Sequence, residues 1–187
     1  MIPALIILGV LFGIALIIGL WLMGIYNGLV RLRQAVKNGW AQIDVQLKRR
    51  HDLIPNLVNT VKGYASHEKD TLERVINARA KATSVTLPAD KIKAEGELSS
   101  ALSRLLAVSE AYPDLKANQN FMSLQQELTT TEDRVALSRQ TYNDAVTRLN
   151  TSIQVFPNVL IAGTFGFKEE PLFETQVEER NAPKVQF

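Results

Sequence analysis

The chain has 187 residues, 46% of them hydrophobic, and its 21 Lys and Arg nearly cancel 19 Asp and Glu to leave a net charge of +2. That length accommodates one globular domain with an appendage, and the balanced charge gives no overall bias toward nucleic acid or an acidic partner. With no Cys and two His, thiol nucleophiles, disulfides, iron–sulfur clusters and most zinc sites are excluded, so composition speaks of location more than of a reaction.

Residues 1 to 30 contain no Asp, Glu, Lys or Arg, and 21 of the first 26 are hydrophobic. As a helix rising 1.5 Å per residue, Ile2 to Tyr26 spans about 37 Å, more than the roughly 30 Å hydrocarbon core of a bilayer. Residues 1–26 therefore read as a transmembrane anchor. No basic amino-terminal region and no small-residue cleavage site accompany it, so the anchor is expected to be uncleaved. Trp21 and Tyr26 fall near its downstream end, where amphipathic rings suit the headgroup zone. Between residues 27 and 50, Arg31, Arg33, Lys37, Lys48, Arg49 and Arg50 face only Asp44, a net +5 on this flank. The positive-inside rule then puts the amino terminus outside and the body in the cytoplasm; a periplasmic or extracellular body is the alternative. Arg31, Arg33 and Lys37 are the cations near enough to meet lipid headgroups, and Gly9 and Gly13 form a G-x-x-x-G suited to anchor–anchor packing.

From Leu29, apolar positions recur in steps of three and four through Leu32, Val36, Trp40, Ile43, Leu47, Ile54, Leu57, Val61 and Tyr64, a helical seam running on from the anchor. Pro55 predicts a bend near 51–55, and Gly63 with Ser66 as N-cap predicts the first turn. A second helix is expected from about His67 to Ala111, its inward positions including Leu72, Val75, Glu95, Leu98, Leu102 and Leu105. Pro88 either interrupts this rod or splits it as a hairpin, the single interrupted rod being the preferred arrangement. A third helix, 115–154, repeats Leu124, Leu128, Thr131, Val135, Ser138, Tyr142, Ala145, Leu149 and Ile153 with coiled-coil spacing. The fold expected is thus all-α: a transmembrane helix continuous with an elongated antiparallel bundle of three long helices, or four if Pro88 makes a hairpin, over 27–157. Residues 158–187 read as an irregular carboxy-terminal strap and tail, its phenylalanines packed on the bundle end and Gln176 to Phe187 frayed.

No phosphate-binding loop, dinucleotide fingerprint, H-E-x-x-H or G-x-S-x-G occurs, so no catalytic, cofactor-binding or metal-ligating residue is assigned. His51 and His67 with nearby Asp44, Asp52, Glu68, Asp70 and Glu73 are the only grouping that invites a metal or acid–base reading, and their spacing does not gather them on one helix face. Arg50 lies within the apolar seam between Leu47 and Ile54. A buried charge there needs a carboxylate from a facing helix, Glu110 or Glu132, as a structural ion pair fixing register.

The block Gln42 to Val58, reading QIDVQLKRRHDLIPNLV, resembles the LemA family, as do Tyr26 to Arg31, Asn38 to Trp40, Val61 to Ala65, Ala101 to Leu106, Glu110 to Asn118, Glu132-Asp133 and Phe156-Pro157. The resemblance runs from Tyr26 to Phe173 and excludes the anchor. It implies a bacterial, amino-terminally anchored helical bundle; it does not imply a reaction, and no catalytic or cofactor site is carried over from it. The function expected is a scaffold or adaptor at the cell inner membrane, held by lipid through the anchor, forming a homo-oligomer and binding a protein partner such as an integral membrane protein or a protease, with no nucleic acid. A membrane-tethered hydrolase or metal-dependent enzyme, or a ligand- or peptide-sensing module, is the alternative.

Overall fold

A computed structural model describes residues 2–173, and among these every regular element is helical: α1 (Ile2–Tyr64), α2 (Lys69–Ser84), α3 (Pro88–Ser109), α4 (Pro113–Lys116), α5 (Gln119–Gln154) and α6 (Asn158–Thr164). The tail expected at 176–187 lies outside the described residues. Two compact units form, one from the residues up to Ala41 with Gln140–Leu172, the other from Gln42–Arg139 with Phe173.

Helix α1 is a single 63-residue helix, unbroken at the end of the apolar run and unbroken at Pro55. Its amino-terminal part is long and apolar enough to cross a membrane, and large side chains there, such as Phe12 and Ile17, are exposed. Proline lacks an N–H, so Pro55 leaves the carbonyl of His51 without its helical donor. The Arg79 Nε supplies one instead, donating to His51 O at 2.7 Å.

In the second unit the seam of α1 is buried: Ile43, Leu47, Ile54, Leu57 and Val61 are each 1% exposed or less. Of these, Ile54, Leu57 and Val61 pack in one core with Leu72 and Val75 of α2, Leu98 and Leu105 of α3, and Phe121 and Leu128 of α5. Each such side chain contributes about 1.5–3 kcal/mol by leaving water. The α1–α5 pairing in this unit is antiparallel, since Tyr64 meets Asn118 while Arg50 meets Glu132. Asn118 also caps α5, its Oδ1 accepting from Phe121 N at 3.0 Å. Thr129, Thr130 and Thr131 do not break α5 because each hydroxyl donates to the carbonyl four residues back.

The structure corrects three expectations. The rod predicted for 67–111 is a hairpin: α2 has 16 residues, α3 has 22, and Lys81 meets Glu97 across the turn. Val85 and Leu87 are extended and Pro88 opens α3, the position where its fixed φ and missing N–H do no harm. The bundle in this unit therefore has four long members, α1, α2, α3 and α5. The first turn falls at 65–68, with Glu68 rather than Ser66 at the N-cap position of α2. The segment after Pro157 is not irregular from its start, because α6 forms before the chain extends through Phe173.

In the first unit α1 and α5 approach closely at Gly39, where an added Cβ would lie 3.1 Å from the Tyr142 Cα. The Trp40 ring meets Tyr142 edge-on at 5.4 Å, and the Tyr142 hydroxyl donates to Pro171 O at 2.8 Å. Asn150 holds the extended strap by accepting from Glu170 N and donating to Glu170 O.

Candidate functional site

The most concentrated chemistry in the second unit is a buried polar cluster. Adjacent residues Arg50 and His51 of α1 both turn inward, at 3% and 6% exposure, and meet Glu95 of α3, which is fully buried. The Glu95 Oε1 lies 2.7 Å from His51 Nε2, and Oε2 lies 3.5 Å from Arg50 Nη1, an ion-pair contact rather than an aligned hydrogen bond. With Glu95 ionised, the imidazole Nε2–H donates. The Arg50 Nη2 donates to Ser99 Oγ at 2.8 Å, one turn along α3 from Glu95, and lies 3.6 Å from Glu132 Oε1 of α5.

Of the two partners expected for Arg50, Glu132 is therefore beside it and Glu110 is not. Glu110 is exposed and bonds Lys116 at 2.5 Å. The principal partner, Glu95, stands on the α3 seam between Ile92 and Leu98, and an acid on one apolar seam opposite an Arg on another was the available signal. One carboxylate thus lies between an arginine and an imidazole, all three closed off from solvent.

The other acids and histidine singled out in the sequence are dispersed. His67 is exposed in the turn, Asp44 is bonded to Lys91 at 2.5 Å, Glu68 accepts from the Tyr112 hydroxyl at 3.2 Å, and Asp52, Asp70 and Glu73 are exposed. Among the described residues no group of three or more His, Cys, Asp or Glu could hold a metal ion.

A groove of about 530 Å³ runs along the α2–α3 hairpin, lined by Arg74, Asn77, Lys81, Glu97, Ser100 and Arg104 among others. Lys81 is neutralised by Glu97 at 2.6 Å, and this contact holds the Glu97 carboxyl below its ordinary value. Arg74 and Arg104 have no ion-pair partner among the described residues, so this end of the groove is positive.

In the first unit, Arg31 and Lys37 are exposed, while the Arg33 guanidinium stacks over the Phe167 ring at 4.9 Å. Tyr26, where the apolar run ends, meets Phe165 at 5.0 Å and Phe167 at 5.8 Å. A Cβ at Gly9 or Gly13 would meet nothing within 4 Å, so that stripe of α1 is open.

Together these features define a helical-bundle protein whose first helix carries a candidate membrane span and whose bundle encloses a buried polar cluster. The model of the LemA family matches residues 39–187, and the chain belongs to that family. It is 25% identical to Protein LemA of Metamycoplasma hominis, over 84% of this chain and 73% of that protein. It is also 25% identical to Magnetosome protein MamQ 2 of Paramagnetospirillum magneticum, over 80% of this chain, and 23% identical to Magnetosome protein MamQ of Magnetospirillum gryphiswaldense, over 79%. The chain spans 64% of the length of each of these two magnetosome proteins.

Proposed function

We propose that this protein is a membrane-anchored helical scaffold that self-associates and binds a protein partner without catalysing a reaction. The observation that carries the reading is α1 itself: one helix supplies both the charge-free apolar segment and, from Ile43 to Val61, the buried core of the bundle. A chain built this way fixes a folded surface to a bilayer, and its densest cluster of ionisable groups is sealed inside. The net +5 of residues 27–50, next to a segment 1–26 without Asp, Glu, Lys or Arg, supports an amino terminus outside and a cytoplasmic bundle at a bacterial inner membrane. Confinement to a membrane raises the effective concentration of neighbouring copies, and Gly9 and Gly13 offer a close-packing stripe for them. The α2–α3 groove, with Arg74 and Arg104 uncompensated, suits an acidic segment of the partner.

Three measurements test this. The mass of the full-length protein in mild detergent should exceed that of a monomer, and Gly9→Ile with Gly13→Ile should reduce it. Cross-linking in intact cells should capture a discrete partner whose yield falls in Arg74→Glu/Arg104→Glu. A reporter active only after export, fused after residue 187, should stay inactive. A monomer that captures nothing would end the scaffold reading.

A further inference from the structure

Helix α6 is apolar on both sides. Ile161 and Ala162 are buried, yet Val159 and Leu160 beside them are exposed, and Val155, Phe156 and Phe165 extend the exposed face. Phe156 is 78% exposed, Leu160 62% and Phe165 58%. A helix on a water-facing surface carries polar residues on its outer side, and one that is hydrophobic all round is normally covered by protein or lipid. No charged residue occurs between Arg148 and Lys168, so no ionised side chain along this stretch resists removal from water.

What covers the face follows from its position. Within the same unit Phe165 stacks at 5.0 Å on Tyr26, the residue where the apolar run of α1 ends, and Phe167 packs on the same ring. The exposed face of α6 thus begins beside the point where α1 leaves the hydrocarbon, and Arg31, about 7.5 Å further along α1, marks the start of the charged zone. Aromatic rings at this level, with cations just beyond, are the side chains that the interface between acyl chains and headgroups accepts. Of the five exposed side chains, Phe165 is the one in contact with α1, at Tyr26.

We infer that the face of Val155, Phe156, Val159, Leu160 and Phe165 is seated in the bilayer interface, so that the protein holds the membrane at two places: a spanning helix and a laterally placed apolar wedge. This rests on the membrane-anchoring reading given above. The wedge adds what one span cannot, since a single helix is free to rotate about its axis, whereas a second contact to one side fixes which face of the protein meets the lipid surface.

The absence of native Cys permits a direct test on the full-length chain. Single variants Ile18→Cys, Leu160→Cys and Leu137→Cys are labelled with an environment-sensitive fluorophore and reconstituted into vesicles of phosphatidylcholine with a minor fraction of phosphatidylglycerol. Nitroxide-labelled lipid then quenches from within the bilayer, and iodide quenches from water. Position 18 reports the span, position 160 the wedge and position 137, also exposed, a control. Lipid quenching at 160 should be several-fold stronger than at 137 and comparable with that at 18, with weak iodide quenching. Strong lipid quenching at 18 but not at 160 overturns the wedge and leaves the span standing. Position 160 shielded from both quenchers means that another protein surface covers it, and also overturns the proposal. No lipid quenching at 18 removes the anchor reading and the wedge with it. Unchanged circular dichroism of each labelled variant establishes that the comparison is made on folded protein.

Discussion

The Arg79 side chain donates through Nε to the backbone carbonyl of His51, the oxygen that Pro55 deprives of its helical partner, and so α2 repairs a defect in α1. A proline in a helix interior ordinarily costs about 3 kcal/mol, partly through that lost bond. Here the orphaned carbonyl becomes a docking point for a neighbouring helix and accepts from a charged donor.

The first prediction follows. Arg79→Leu should lower stability by about 2 kcal/mol, the loss of a charge-assisted hydrogen bond to a half-buried acceptor. Pro55→Ala restores an amide that bonds His51 O, so in that background Arg79→Leu should cost far less. The two substitutions must be strongly non-additive in a double-mutant cycle by thermal or chemical unfolding in detergent. Additive effects would show that Arg79 stabilises by other contacts.

Glu95 gives the second. Glu95→Ala leaves Arg50 buried with only the exposed Glu132 carboxylate beside it and His51 without its hydrogen-bond partner, and should destabilise by about 3–5 kcal/mol. Glu132→Gln should cost under about 1 kcal/mol, because its side chain is 63% exposed and its contact with Arg50 is screened by solvent. Replacing Arg50, His51 and Glu95 together by Met, Leu and Leu should recover most of the loss. Equilibrium unfolding of the three variants distinguishes a buried ion network from a surface one.

The third concerns the close approach at Gly39. A Val there places a branched side chain against the Tyr142 backbone, which cannot retreat as a flexible side chain would, and should cost about 2 kcal/mol. Gly39→Ala should be milder, its added methyl offset by the better helix propensity of alanine, about 1 kcal/mol. Melting temperatures of the two variants should fall in that order.

The fourth is a pH dependence. Burial, and secondarily the charge of Glu170, push the Tyr142 hydroxyl above its ordinary value of 10.0. A group whose folded value exceeds its unfolded value contributes stability that is complete below the unfolded value and lost as the pH rises through the folded one. Alkaline titration should therefore weaken the fold from about pH 10 upward. Tyr142→Phe should flatten that decline while lowering stability at neutral pH through loss of the bond to Pro171 O. Unfolding curves between pH 8 and 11 for both proteins supply the comparison.

The long helices were legible because burial follows the three-and-four spacing: Leu29, Val36, Ile43, Leu47, Ile54, Leu57 and Val61 are all buried. Even the anomaly in that series, Arg50, was readable as a buried charge needing a partner. The hairpin at Pro88 was not, because a kinked rod and a hairpin keep the same seam; only local backbone geometry separates them, and here Val85 and Leu87 are extended. The choice of Glu95 over Glu110 depends on that hairpin, which sets the α3 face turned toward Arg50. The α6 helix was hidden by Phe156-Pro157 on one side and Gly163 and Gly166 on the other, which leave seven residues with too little periodicity to recognise.

Gly39 and Tyr142 touch across about a hundred residues of chain, which at roughly 5–20 residues per second is about 5–20 s of translation. Throughout that interval α1 has been made and its stripe from Leu29 to Ile43 has no α5 to lie against, while α2 and α3 are already able to close on each other locally. The ribosome thus presents a long helix whose first part is a candidate membrane span and whose bundle stripe still lacks its partner. Nascent chains arrested after residue 90 should cross-link to general chaperones or the insertion machinery through residues 29–43, and chains arrested beyond the carboxy-terminal residue by a linker long enough to clear the exit tunnel should not.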